Sequence, residues 1–69
     1  MNILKINGKE QTFAGHLPAT IMDLLAELKI NNFALVAEID GKIVSQKDFA
    51  NTKISPGQSI ELVHFVGGG

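Results

Sequence analysis

A stripe of apolar side chains with helical spacing is the feature that most restricts how this chain can fold. Its members recur at intervals of three and four residues, so a helix would carry them on one face; they are Ile21, Leu24, Leu25 and Leu28. Thr20 can cap the start of that helix, and Asp23 places negative charge near its positive end. The spacing predicts a helix of about three turns that stops near Asn31-Asn32. Because so short a helix is marginal in isolation, its apolar face must be buried against another element.

Two turn dipeptides predict a hairpin on either side of this helix. Asn7-Gly8 suits a type I′ turn because both residues tolerate positive φ, and Asp40-Gly41 predicts a second turn of two residues. In the first strand, Leu4 and Ile6 share one face of the sheet. The paired strands are expected over residues 2–6 and 9–13, and over residues 34–39 and 42–44.

The remaining segments predict a short helical turn and a last strand. Residues 46–51 are polar around Phe49, which indicates a turn of helix that places one ring on the core. Ser55-Pro56-Gly57-Gln58 fits a type II turn, since proline fixes φ at the second position and glycine supplies a positive φ at the third. A strand over residues 59–65 follows. The order of elements predicts an α+β fold, a mixed sheet of about four to five strands packed on one main helix, which matches a β-grasp.

Length and composition exclude several classes of protein. With 69 residues, the chain is expected to form one domain over residues 1–69, too small for a two-lobed enzyme. A net charge of -1 supplies no basic field for phosphate backbones, so no nucleic acid partner is expected. Cysteine is absent, and His16 and His64 lack metal-ligand spacing, so no bound metal is expected. Without a membrane-spanning run or a signal-peptide core, we expect no membrane partner and a cytoplasmic location.

The last three residues have a specific chemical use. Gly67, Gly68 and Gly69 lack a Cβ, so they can lie extended in a slot too narrow for other residues and present an unhindered carboxylate. A carboxylate becomes an acyl donor when its oxygen is converted into a good leaving group, as in an acyl-adenylate formed from ATP. Since the chain has no phosphate-binding loop, a partner must bind the ATP. Two plainer interpretations stay open, a tail of unselected sequence and a leftover linker.

The strand before the glycines predicts a docking surface. Ile60 and Leu62 should share the core face, which leaves Glu61 on the other face together with the apolar Val63 and Phe65. One of these two could simply pack against a neighbouring loop, because scattered exposed apolar residues are ordinary. Their position directly upstream of the glycines favours contact with a partner, in which Val66 also takes part.

The tail is long enough to deliver its end into an enclosed site. From Phe65 to Gly69 an extended chain reaches about 15 Å, and residues 66–69 are expected to form a flexible reactive tail. His64 lies just upstream, but a lone histidine on a strand without a paired nucleophile is more often a surface or docking residue. We therefore expect no catalytic residue in this chain.

Several stretches of the sequence carry a family resemblance. The C-terminal stretch is Ile60-Glu61-Leu62-Val63-His64-Phe65-Val66-Gly67-Gly68-Gly69, and three others span residues 4–9, 19–28 and 36–44. Together they cover nearly the whole chain, and they closely resemble the ThiS family, the sulfur carrier proteins of thiamine thiazole synthesis. The resemblance implies a ubiquitin-like β-grasp whose terminal Gly-Gly corresponds to Gly68-Gly69.

The resemblance also implies that the chain is a substrate protein rather than an enzyme. An adenylating enzyme would use ATP to adenylylate the carboxylate of Gly69, with no cofactor bound to this chain itself. A sulfur donor such as a cysteine desulfurase would then supply sulfur for a thiocarboxylate, and thiazole synthase would receive it.

Two alternatives keep the fold but change the role. The Gly-Gly end also occurs in ubiquitin-like modifiers and in the small subunit of molybdopterin synthase, so sulfur carriage to molybdopterin or another acceptor stays open. Molybdopterin-type relatives tend to be longer and to carry prolines before the final glycines, whereas His64-Phe65-Val66 contains none. A noncovalent ubiquitin-like interaction module, with the glycines as a flexible end only, is the second alternative.

Overall fold

The computed structural model describes residues 2–65, which form one mixed sheet, one α-helix and a short 3₁₀ helix. The strands lie in the order β2-β1-β5-β3-β4. β1 and β5 run parallel at the centre of the sheet, and the other neighbouring pairs are antiparallel. The elements are β1 (Ile3–Ile6), β2 (Lys9–Thr12), α1 (Ile21–Leu28), β3 (Leu35–Ile39), β4 (Lys42–Val44), the 3₁₀ helix (Gln46–Asp48) and β5 (Ser59–His64). The sequence prediction of a β-grasp with four to five strands and one main helix is confirmed, and the sheet has five strands.

Both predicted hairpins are present, with their turns at the predicted dipeptides. Asn7 and Gly8 have φ values of 49° and 85°, and Asp40 and Gly41 have 50° and 86°, as a type I′ turn requires. These turns fix the register, so that Ile6 pairs with Lys9. Each predicted strand differs from the observed one by at most one residue at an end.

The N-terminus of α1 confirms the predicted cap. The backbone N–H of Asp23 donates to Oγ1 of Thr20 at 3.2 Å, while Thr20 itself is extended. This bond satisfies one of the amides that a helix start leaves without a partner. Ile21, Leu24 and Leu25 are buried, so the predicted apolar stripe is the face that packs on the sheet.

The C-terminus of α1 corrects the prediction. The helix has 8 residues, about two turns, and ends at Leu28 rather than near Asn31-Asn32. Lys29 adopts the left-handed conformation with φ of 58°, its N–H donates to Ala26, and the next N–H, of Ile30, donates to Leu25 at 2.9 Å. This pair of bonds is a Schellman cap. The prediction missed it because a lysine, rather than the usual glycine, occupies the left-handed position.

The core lies between α1 and the inner face of the sheet. Phe49 follows the 3₁₀ helix and is completely buried, which confirms the prediction that this polar segment places one aromatic ring on the core. The type II turn before β5 is confirmed by Gly57, with φ of 82°. Within residues 2–65, no helix has the length and apolar character needed to cross a bilayer. The buried apolar side chains are Leu4, Phe13, Ile21, Leu24, Leu25, Leu35, Ala37, Ile39, Phe49, Ile60 and Leu62.

Candidate functional site

The strand that leads to the C-terminal tail lies in the middle of the sheet. β5 pairs with β1 on one edge, where Ile6 is registered with Ile60, and with β3 on the other, where Leu35 is registered with His64. A central strand has both rows of its backbone groups engaged, so it opens less readily than an edge strand. The strand that precedes the tail is therefore held in the sheet along both of its edges.

Asn7 extends the attachment of β5 beyond the end of β1. Its backbone N–H donates to the carbonyl of Ile60 at 2.9 Å. Its side chain then takes the place of a further strand residue: Nδ2 donates to the carbonyl of Leu62 at 3.2 Å, and Oδ1 accepts from the N–H of Leu62 at 2.7 Å. The turn residue of the first hairpin thus holds the strand that carries the tail.

The last described residues are attached to the loop between α1 and β3. The N–H of Phe65 donates to the carbonyl of Ala34 at 2.7 Å. The His64 ring donates through Nε2 to the carbonyl of Asn31 at 2.6 Å, since a carbonyl oxygen can only accept. This contact ties the His64 side chain to the loop before β3, and the absence of a catalytic histidine stays a prediction.

The outer face of the sheet, which is turned away from α1, carries the predicted docking residues. Val63 is 58% exposed and Phe65 is 70% exposed, whereas Ile60 and Leu62 are buried, so the predicted alternation along β5 is confirmed. Val63 and Phe65 line an open depression of about 440 Å³, together with Val36, Glu38 and Ile43. A large, mostly apolar depression of this kind is typical of an interaction site.

Three residues of this depression were missed by the sequence prediction. Val36 lies directly across from Val63, and Glu38 lies between Glu61 on β5 and Ile43 on β4. The alternation along β3 does indicate that Val36 and Glu38 share a face. That this face meets Val63 depends on the β3–β5 register, which links residues far apart in sequence.

The predicted reactive tail lies outside the described residues. Val66, Gly67, Gly68 and Gly69, with the carboxylate at Gly69, therefore keep the roles predicted from the sequence without a structural test. Among residues 2–65, no three His, Asp or Glu side chains come close enough together to hold a metal ion.

Comparison with known families places the chain beside small carrier proteins. The model of the ThiS family matches residues 4–69, a range that includes the three glycines. The sulfur carrier protein ThiS of Bacillus subtilis is 33% identical over 67 residues, covering 97% of this chain and 100% of that protein. A thiazole synthase of Paramagnetospirillum magneticum is 33% identical over 66 residues, covering 96% of this chain. The chain spans only 20% of the length of that synthase.

Solved structures show the same similarity. The crystal structure of a thiamine biosynthesis protein (ThiS) from Geobacter metallireducens has a TM-score of 0.86 at 29% identity, covering 97% of this chain and 99% of that one. A solution structure of a thiamine biosynthesis protein from the same organism has a TM-score of 0.78 at 31% identity, covering 100% of this chain and 88% of that one. The similarity extends over nearly the whole fold.

Proposed function

This chain belongs to the ThiS family, and on that basis we propose that it is a sulfur carrier for the thiazole of thiamine, with Gly69 as the residue that carries sulfur. The observation that carries the proposal is the extent of the family match, which runs through the terminal glycines as well as the folded body. The chain is a substrate protein of the enzymes that modify it, and it acts in the cytoplasm.

The first step of the proposed chemistry activates the terminal carboxylate. A carboxylate oxygen of Gly69 attacks the α-phosphorus of ATP held by an adenylating enzyme, and pyrophosphate leaves. A sulfur nucleophile, supplied from a donor such as a cysteine desulfurase, then attacks the acyl carbon, and AMP leaves. When the nucleophile is the persulfide of such a donor, the product is an acyl disulfide; a reducing thiol then attacks the donor's sulfur atom, forms a disulfide with the donor cysteine and leaves the tail ending in a thiocarboxylate. When the nucleophile is sulfide, the thiocarboxylate forms directly. Because Gly67 and Gly68 have no side chains, the end of the tail is narrow enough to enter the active sites of the adenylating enzyme and of the sulfur acceptor.

Thiazole synthase is the proposed acceptor of the sulfur. A segment similar to nearly all of this chain occurs within a longer protein that is itself a thiazole synthase, which supports a functional link between the two. The thiocarboxylate sulfur of the carrier is a nucleophile, so it can be transferred to an electrophilic carbon of the thiazole precursor, and the carboxylate of Gly69 is regenerated when water replaces the sulfur.

Intact-mass analysis tests this chemistry directly. The chain is incubated with ATP, an adenylating enzyme of the family and a sulfide source, and we expect a mass increase equal to the exchange of one oxygen for one sulfur. A chain lacking Gly68 and Gly69 should show no increase. Failure of the complete chain to gain sulfur would count against the carrier role. Sulfur gain followed by transfer to a molybdopterin precursor but not to thiazole synthase would redirect the proposal to another pathway.

Charged substitutions test the proposed docking role of Val63 and Phe65. In Val63→Asp and Phe65→Asp chains, we expect the KM for adenylation to rise about tenfold with little change in kcat, because burying an unpaired carboxylate in an apolar contact costs binding energy. Met22→Asp is the control, since Met22 is 37% exposed on α1, on the other side of the sheet. Unchanged KM values for both substituted chains would remove Val63 and Phe65 from the interface.

A further inference from the structure

The outer face of the sheet is not uniformly apolar, because two acidic side chains lie on β3 and β5. Glu38 and Glu61 are registered directly opposite each other on β3 and β5. Val36 and Val63 form the next pair on the same face, and Ile43 lies beside Glu38 on β4. The carboxylates of Glu38 and Glu61 therefore have apolar side chains as neighbours on this face.

We expect the arrangement of these carboxylates to cost some stability in the isolated chain. Directly opposite side chains have Cβ atoms about 4.5–5.5 Å apart, and like charges at that distance repel. Lys5 is the outward lysine of the neighbouring strand, but its registered neighbours are Ser59 and Glu10 rather than Glu61. The sheet itself thus places no cation directly across from either carboxylate.

The same pair defines what a partner must bring to this face. Covering the apolar side chains removes water from both carboxylates, and burying a charge without a counterion strongly disfavours binding. A partner with only apolar contacts would therefore bind poorly. A guanidinium or an ammonium placed between the two oxygens would satisfy both, and the guanidinium fork matches carboxylate geometry.

We propose that the adenylating partner docks on the outer face with an apolar surface that carries an arginine or lysine side chain, and that this cation lies between Glu38 and Glu61. The inference rests on the proposed function, because it takes the enzyme that activates the tail as the occupant. Because two carboxylates lie on this face, the surface of the enzyme that covers them must supply a positive charge. Val36, Ile43, Val63 and Phe65 supply the apolar contacts around the ion pair.

The experiment compares two variants of the full chain with equal net charge. Glu38→Gln/Glu61→Gln neutralises the pair, whereas Glu27→Gln/Asp48→Asn neutralises two exposed carboxylates elsewhere. The dissociation constant for an adenylating enzyme of the family is measured by calorimetry in about 50 mM and about 500 mM NaCl. Pyrophosphate release is measured in parallel with ATP. Thermal unfolding of each variant is recorded.

We expect the Glu38→Gln/Glu61→Gln chain to bind about tenfold more weakly at low salt, with a smaller difference at high salt, and the control to stay within about twofold of wild type. The weaker binder should melt at the same or a higher temperature, since the repulsion is gone. Equal affinity of the two variants at low salt would overturn the inference.

The two proposals can fail separately. Suppose that the wild-type chain supports pyrophosphate release but neutralising Glu38 and Glu61 leaves the affinity for the enzyme unchanged. Then no cation of the enzyme lies between the two carboxylates, and the carrier role stands. If the wild-type chain binds without pyrophosphate release, the proposed chemistry is wrong, and the affinity comparison still decides the docking claim. Absence of any binding would overturn both.

Discussion

At the scale of single residues, Asn7 connects a local turn to the strand that carries the tail. Its left-handed backbone closes the first hairpin, with φ of 49°, and its side-chain amide exchanges two hydrogen bonds with Leu62. Asparagine combines both properties because it tolerates positive φ better than most residues and has a donor and an acceptor on one short side chain.

Replacing Asn7 separates these two properties. Glycine accepts the left-handed backbone but has no side chain, so Asn7→Gly should lower the free energy of unfolding by about 1–2 kcal/mol through loss of the two bonds to Leu62. Urea denaturation followed by far-UV circular dichroism measures the change. Asn7→Asp, which keeps the acceptor and loses the donor, should fall between Asn7→Gly and wild type. A Gly variant as stable as wild type would show that these bonds contribute nothing.

The sequence predicts one of these two properties and not the other. Asn7-Gly8 is a recognisable turn signal because the conformation depends on the two residues themselves. The bonds to Leu62 join residues 55 positions apart, so they depend on the pairing of β1 with β5. Thr20 was predicted correctly for the converse reason, since its partner Asp23 lies three residues away.

At the scale of elements, α1 ends before the predicted stop near Asn31-Asn32 because of the cap at Lys29. The apolar stripe continues to Leu28, and neither Lys29 nor Ile30 breaks a helix as proline would. The left-handed turn at Lys29 instead returns Ile30 to the core, where it packs as a partly buried side chain. Burial of Ile30 thus outweighs the preference of lysine for the right-handed region.

Lys29→Gly should stabilise the protein by about 0.5–1 kcal/mol, because glycine adopts the left-handed position without the Cβ clash. Chemical denaturation checks the change in midpoint at constant slope. Lys29→Ala removes the same charge but keeps a Cβ, so it should give no gain. If Ala and Gly stabilise equally, the gain comes from charge removal and the backbone explanation is wrong.

At the scale of the whole molecule, the fold depends on the last strand. β5 joins two hairpins that otherwise have no pairing with each other, since β1 and β3 both pair with it. The order of elements in the sequence predicts a mixed sheet of this kind, and the alternation along β5 predicts its outward residues. That Val36 and Ile43 lie beside those outward residues depends on the registers of β3 with β5 and of β3 with β4.

A chain that stops after Gln58 should therefore lack a cooperative fold. Without β5, neither hairpin has a sheet partner, and an isolated hairpin is marginal in water. Far-UV circular dichroism with thermal melting should show no transition. The matched control is Phe65→Ser in the full chain, which changes only an exposed side chain and should alter the free energy of unfolding by less than about 0.5 kcal/mol. A cooperative transition in the shortened chain would show that the hairpins and helix suffice.

The central place of β5 also has a consequence for synthesis of the protein. Translation runs from the N-terminus, so β1 and β3 leave the ribosome before the strand that separates them exists. A nascent or prematurely terminated product exposes two unpaired sheet edges, which invite aggregation and proteolysis. We therefore expect a polypeptide to become compact only once residues 59–64 have been translated, and the cell's degradation machinery to remove carriers that were never finished.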